Sequence, residues 1–164
     1  MIIDEDDGPL LSLSDLAALY EREHVAMVRL AYLLTGSHSL AEEAAHDTFI
    51  SVFKHRATIK RPGAYLRTSV VNRCNTMQRR RATEQRKLIV VATTTAREVE
   101  LAPELDEMWR LLHRLTANQR TALVLRFYQD LTIDQIATAM EERPGTVKSL
   151  IHRGLARLRK EIEP

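Results

Sequence analysis

The side chains best placed to do chemistry in this 164-residue chain are cations. Lys54, Arg56, Lys60, Arg61, Arg67, Arg73, Arg79, Arg80, Arg81, Arg86 and Lys87 stand against a single Glu84, eleven positive charges to one negative. A second run, from Arg143 to Lys160, holds six Lys or Arg residues and no acid. The formal net charge of the chain is only +2, so its charge is segregated rather than abundant. Acids collect at the other end, with Asp4, Glu5, Asp6, Asp7, Asp15, Glu21 and Glu23 among the first 23 residues. Blocks of this kind point to a polyanion or an acidic protein surface as partner. A face that serves solubility alone normally mixes both signs. On a helix it also gains about 0.2–0.5 kcal/mol from each i,i+4 ion pair, a gain that an acid-free face forgoes.

Catalytic constellations are sparse. Glu42 and His46 lie four residues apart on one helical face and could share a metal, but no third ligand accompanies them. The single cysteine, Cys74, excludes an intramolecular disulfide and a Cys-rich zinc motif, and its inward helical position reads as a packed thiol. No catalytic residue, metal or cofactor is expected, and the protein is not expected to be an enzyme. No apolar stretch follows a basic start, and no run approaches the roughly 18 apolar residues of a spanning helix. A cytoplasmic protein without membrane association is the expectation.

The elements that must position the cations read as all-α, two small helical domains joined by a linker, the C-terminal one a helix-turn-helix. Residues 1–12 form an acidic tail, 13–82 a first domain, 83–104 the linker and 105–164 a second domain. Helix one is expected from about Leu13 to Leu34, with a Ser12/Asp15 capping box, an apolar stripe that includes Leu16, Leu19, Tyr20, Met27 and Leu30, and Gly36 as its stop. A Ser39/Glu42 box opens helix two, with Ala41, Ala44, Ala45, Thr48, Phe49, Val52 and Phe53 inward and Glu42, Glu43, His46 and Asp47 outward. Pro62 starts helix three, with Tyr65, Leu66, Ser69, Val70, Cys74 and Met77 inside and Arg67, Asn72, Asn75, Arg79 and Arg80 outside. The "KLIVVATTTA" run lacks helical period and reads as linker.

In the second half, Leu105, Met108, Trp109, Leu112 and Leu115 recur at helical spacing. Thr116/Gln119 and Thr132/Gln135 boxes open two helices, the first with Leu123, Val124 and Phe127 inside, and the last helix begins near Pro144. Two helices, a turn and a basic third helix fit a helix-turn-helix. Val147, Ile151, Gly154, Leu155, Leu158 and Ile162 share one side of that third helix. Arg143, Thr146, Lys148, Ser149, His152, Arg153 and Arg157 are its candidate DNA contacts. Lys148 and Arg153 have the reach for guanine acceptors or phosphate, and Thr146 and Ser149 for a base or the backbone. The turn lacks the usual glycine, having Glu141 and then Glu142, and Arg143 stands where a Ser or Thr cap is common.

These residues resemble a known family. "RLTANQRTALVLRFYQDLTIDQIATAMEERPGTVKSLIHRGLARLRKEI" resembles the C-terminal promoter-binding domain of bacterial extracytoplasmic-function sigma factors, most specifically in "GTVKS", "HR" and "LARLR". "LYEREHVAMVRLAYLLTGSHSLAEEAAHDTFISVFKHR" resembles the sigma helices that bind core RNA polymerase, and "AYLRTSVVNRCNTMQRRR" the helix that handles the −10 element. The resemblance implies a sigma factor that directs promoter-specific initiation. It implies that Glu42, Glu43, His46 and Asp47 meet basic groups of core polymerase. It implies that Arg56, Lys60, Arg61, Arg67, Asn72, Arg73, Arg79 and Arg80 serve the −10 element and that the third helix of the second domain reads the −35 element. An anti-sigma factor is a further partner of the kind the family takes. Tyr65 stands where the family often has Trp, and Leu150 where it often has Arg; Leu150 either meets a thymine methyl or covers the turn. A repressor or activator with the same motif would leave the N-terminal cations and the acidic helix without roles.

Overall fold

A computed structural model describes residues 11–84 and 99–163. The expectations for residues 1–10 and for the apolar stretch at 87–96 fall outside the described residues. Helix α1 (Leu13–Thr35) is followed by α2 (His38–His55) and α3 (Pro62–Glu84). After the linker come α4 (Pro103–Leu112), α5 (Ala117–Leu123) running into a wide π turn at Val124–Tyr128, α6 (Ile133–Met140) and α7 (Pro144–Ile162). Helix α3 continues through residues 83 and 84, which were expected to be linker.

The local signals that start and stop these helices are satisfied in atomic detail. The side chains of Ser12, Thr116 and Thr132 each accept the backbone N–H three residues on, and Asp15, Gln119 and Gln135 each accept the cap residue's own N–H. Gly36 closes α1 at φ 68°, a left-handed conformation that costs glycine little. Helix α2 departs from expectation: its cap is Ser37, whose Oγ accepts the Leu40 N–H at 3.3 Å, and not Ser39. The short Gly36 stop lets the chain re-enter helix two residues sooner, which releases Glu42 for another partner.

Helix α1 is the central post. Its residues from Leu30 to Thr35 are all buried, a helix covered on every side rather than along one stripe. Helices α2 and α3 pack on it from one half of the chain and α4 and α5 from the other. Ala41, Ala44 and Ala45 have no exposed surface, and such small side chains let α2 lie close to α1. Buried side chains of both halves belong to one continuous apolar cluster, which includes Leu30, Val52, Leu66, Leu105, Ile136 and Val147. Val71, not expected inside, is fully buried there.

Five residues expected on apolar faces lie at the surface instead: Tyr20, Phe53, Met108, Phe127 and Ile162, exposed by 42%, 47%, 37%, 64% and 62%. Phe127 is displaced by the π turn, which advances each residue by less than the α-helical angle and rotates the side chain out of phase. Ile162 is the last residue of its helix. Tyr20 is covered on one side by Phe49 of α2, edge-on at 4.9 Å, and Phe53 by the Arg56 guanidinium at 4.6 Å.

The turn between α6 and α7 adopts the left-handed geometry that its sequence lacks a glycine for. Glu141 sits at φ 55°, ψ 40°. The Glu142 N–H reaches the Ala137 carbonyl at 2.9 Å and the Glu141 N–H the Thr138 carbonyl at 3.3 Å, the paired bonds of a Schellman stop. A Cβ in this conformation costs about 1–2 kcal/mol, partly offset by the smaller entropy an unfolded glutamate has to lose. Glu141→Gly is therefore expected to raise stability by about 0.5–1 kcal/mol. Chemical denaturation checks it: a midpoint that fails to rise would show that the Glu141 side chain contributes a compensating contact.

Candidate nucleic-acid interface

The C-terminal basic face is built from the inside out. Val147 and Gly154 face inward, and a Cβ on Gly154 would come within 2.9 Å of the Leu123 side chain, so α7 lies close against α5. Leu150 is also buried, at 7% exposure, so it covers the turn and does not point outward to a base. Tied down on that side, α7 presents Lys148, Ser149, His152, Arg153 and Arg157 to solvent, with Arg143 ahead of them and Thr146 half-buried. Among the described residues no ion pair engages any of the cations in this set. No side chain caps the start of α7, where Pro144 supplies the first helical residue, so the first-turn N–H groups and the positive end of the helix dipole face the same way as these cations.

The N-terminal set is arranged differently. A cleft of about 330 Å³ lies between α2 and α3, lined by Glu43 and Asp47 from one and by Asn72, Arg73, Thr76 and Arg80 from the other. Two groups expected to serve different partners thus share one cleft. An Asp47 oxygen stands 3.8 Å from Arg73 Nη1, a half-exposed pair of the kind worth less than about 1 kcal/mol. Asn72, Arg79, Lys60 and Arg61 are exposed. Arg56 stacks 4.6 Å over the Phe53 ring and donates from Nη1 to the Phe53 carbonyl, which gives that exposed aromatic a cationic cover. Arg67 does not lie on the outer face as expected: it is half-buried, and its Nε is shielded without a partner. The Tyr65 hydroxyl lies 3.0 Å from Ser51 Oγ, which ties α3 to α2.

Glu42 is the clearest departure among the acidic residues. It is half-buried, accepts the Val99 N–H at 2.7 Å and stands 4.0 Å from His24 Nε2. Glu43 and His46 remain exposed, and Asp47 is half-exposed. Burial holds His24 below the usual imidazole range against the opposing pull of Glu42, and its ring stacks on Tyr20 at 4.5 Å. Among the described residues no three His, Cys, Asp or Glu side chains gather as a metal site would require. No described helix is long and apolar enough to cross a membrane.

One buried cation holds the frame together without any periodicity to mark it. Arg120, between Gln119 and Thr121, is buried at 9% exposure. Its guanidinium donates to the Leu112, Leu34 and Leu115 carbonyls at 3.1, 2.9 and 3.2 Å and lies 4.7 Å over the Trp109 ring. An arginine flanked by Leu115 and Leu123 at helical spacing was the available signal.

Residues 19–84 match the Sigma-70 region 2 family and residues 105–158 the Sigma-70 region 4 family. The chain is 35% identical over 105 residues to the RNA polymerase sigma-E factor of Streptomyces avermitilis, a match covering 61% of this chain and 56% of that one. It is 28% identical over 157 residues to the ECF RNA polymerase sigma factor SigL of Mycobacterium tuberculosis, covering 89% and 88%. Its fold is similar to that of the sigma factor RpoE solved with the anti-sigma factor NepR from Bartonella quintana, at TM-score 0.73 and 23% identity over 92% of this chain and 98% of that one. CnrH solved with the cytosolic domain of CnrY gives 0.68 at 18% identity over 93% and 90%. Two sigma-70 regions in this order, on an all-α frame with an exposed basic last helix, define the sigma-70 class. Within that class the chain belongs to the extracytoplasmic-function (ECF) sigma factors.

Cys74 has no exposed surface, and burial pushes its thiol up to about 12. A folded value above the unfolded one means that the neutral thiol stabilises the fold fully below about pH 9, and that this contribution is lost as pH rises toward 12. Alkylation of the native chain at pH 8 should run on the order of 10³-fold slower than in denaturant. Comparable rates would place Cys74 at the surface.

Proposed function

We propose that this protein binds core RNA polymerase and directs promoter-specific transcription initiation, using residues 13–82 for core and −10 contacts and residues 105–164 for the −35 element. The observation that carries this reading is the pairing, on one chain, of the acid-free face of α7 with a second cationic surface on α3. A single-motif repressor uses only the first. In this reading Lys148 and Arg153 address base edges or phosphates in the major groove, Thr146, Ser149 and His152 add shorter contacts, and Arg143 and Arg157 hold the flanking backbone. Each phosphate neutralised releases condensed counterions, so binding by this face falls steeply with salt.

On the N-terminal side, Arg56, Lys60, Arg61, Arg73, Arg79 and Arg80 hold the strand backbone at the −10 element. Asn72 offers both a donor and an acceptor to an unstacked base at the mouth of the α2/α3 cleft. Arg67, half-buried, supports the surface by its stem more than by its charge. Glu43, His46 and Asp47 form the polymerase-facing edge of α2, and Glu42 joins them once its contact with Val99 is released. The polymerase supplies what the chain lacks: it fixes two weak DNA contacts at a set spacing, so that the second becomes intramolecular. An initiation factor of this kind performs no chemistry of its own and works on cytoplasmic polymerase. An anti-sigma factor is the fitting regulatory partner, as for the solved neighbour held by NepR.

Run-off transcription with purified core polymerase tests the reading directly; failure to bind core or to redirect initiation would sink it. Arg153→Ala should weaken recognition of −35 promoters by roughly 5- to 150-fold and lower the salt slope by about one unit, with core affinity unchanged. Equal loss of both activities would indicate misfolding instead. Asp47→Lys should reduce affinity for core by several-fold in a competition assay, and unchanged affinity would remove Asp47 from that surface.

A further inference from the structure

The cleft between α2 and α3 holds an internal conflict of charge. Glu43 and Asp47 stand one helical turn apart and line it from α2, while Arg73 and Arg80 line it from α3. An Asp47 oxygen lies 3.8 Å from Arg73 Nη1, so the carboxylate takes up one arm of a guanidinium that could otherwise grip a phosphate. Four ion pairs form among the described residues, and this one alone engages a candidate DNA contact. The others join Arg22 to Glu23, His24 to Glu42 and Arg114 to Glu161. Neither Asp47 nor Arg73 has a second ion-pair partner among the described residues, and both side chains are half-exposed, so the pair can part without disturbing the core. Thr76, between Arg73 and Arg80 on the same wall, has its hydroxyl donated to the Asn72 carbonyl at 2.9 Å and offers the strand little.

We infer that Asp47 is an electrostatic block on this cleft: it holds Arg73 and, with Glu43, repels the strand backbone until a cation of core polymerase takes the carboxylate. A phosphate bound to Arg73 would lie within about 7 Å of the Asp47 carboxylate, inside the screening length of physiological salt. The repulsion is therefore felt by any strand that enters. A carboxylate turned outward to a polymerase cation leaves Arg73 unpaired and carries a neutralised charge, so one contact removes both obstacles. Asp47 thereby serves two partners in succession, an arginine of its own chain and a cation of core. An exposed pair of this kind limits the coupling to about fivefold, and by linkage a bound strand tightens core binding by the same factor. No acid stands among the cations of α7, so the second domain carries no block of this sort. Release by core rests on the promoter reading; the block itself rests on the cleft.

Fluorescence anisotropy of the full chain with labelled single DNA strands of mixed sequence, about 12 nucleotides long, reads the block directly. Any contribution from α7 is common to all the variants, so differences between them report the cleft. Asp47→Asn should bind these strands about three- to fivefold more tightly than the parent, with helicity by circular dichroism retained. Arg73→Gln should cost the parent less than about twofold, because its arginine is already engaged, and should remove most of the gain in the Asp47→Asn background. No gain from Asp47→Asn, or a gain undiminished without Arg73, would overturn the block; the second result would show that Asp47 acts through overall charge alone. With core polymerase in saturating amount, parent and Asp47→Asn should bind the strands equally. A gain that survives core binding would overturn the release step. An Arg73-dependent gain in the free chain, with no binding to core by parent or variant, would fail the promoter reading and leave the block supported.

Discussion

A guanidinium facing a helix end organises this molecule. Arg120 bridges the α4–α5 turn, through the Leu112 and Leu115 carbonyls, to the last turn of α1 through Leu34. Charge-assisted bonds of this kind are each worth about 1.5–3 kcal/mol, and removing the donor would leave buried carbonyls without partners. Burial pulls the Arg120 pKa below its ordinary value, yet the three carbonyls and the Trp109 face supply what water would otherwise provide. Arginine is the residue suited to this task, because its planar fork can reach three acceptors at once where a lysine ammonium would act as a point charge. The interface therefore depends on polar satisfaction as well as on apolar area, and such an interface exchanges more readily for other partners than a purely apolar one.

Small residues and irregular turns complete the frame. Gly36 allows the indole of Trp109 to lie against the end of α1, and Gly154 allows Leu123 to reach the backbone of α7. The π turn at Val124–Tyr128 sets the direction of approach to α6, held by the Arg126 Nη1 donating to the Leu131 carbonyl at 2.9 Å. Turning Phe127 outward, it contributes to an apolar groove of about 250 Å³ that Met108, Leu111 and Leu158 also line. Frame and basic face are linked here, because the same α5–α7 contact that uses Gly154 fixes which side of α7 points to solvent.

Much of this was legible because it is local. A capping box acts over three residues, so Ser12/Asp15, Thr116/Gln119 and Thr132/Gln135 declare their helices without reference to the rest of the chain. The acid-free cationic run on α7 was equally local. Ser37 was missed because Ser39 offered an equally good pattern two residues later, and only the tight Gly36 stop decides between them. Periodicity placed Phe127 inside because it assumes a constant turn angle, which the π turn breaks. Glu42, Arg120 and Tyr20 were misread or unseen for a common reason. Each has a partner 29 to 86 positions away, Phe49 beside Tyr20, Val99 beside Glu42 and Leu34 beside Arg120, and no window along the sequence contains both members.

The two cationic surfaces differ in a way that suits different forms of nucleic acid. On α7 the cations have no ion-pair partners among the described residues and line the start of a helix, an arrangement that matches the rigid, evenly charged groove of a duplex. On and beside α3 the charge is tempered: Arg73 is shared with Asp47, Arg56 at the end of α2 lies on Phe53, and the cleft between the helices holds both signs beside Asn72. Carboxylates in a cleft repel phosphates but accept hydrogen bonds from base edges, so such a cleft admits a base more readily than a backbone. An opened strand, with its bases free to leave the stack, can use that cleft where a duplex cannot. The order of events in the proposed function follows from this difference, with duplex binding by α7 independent of strand opening and occupation of the α2/α3 cleft dependent on it.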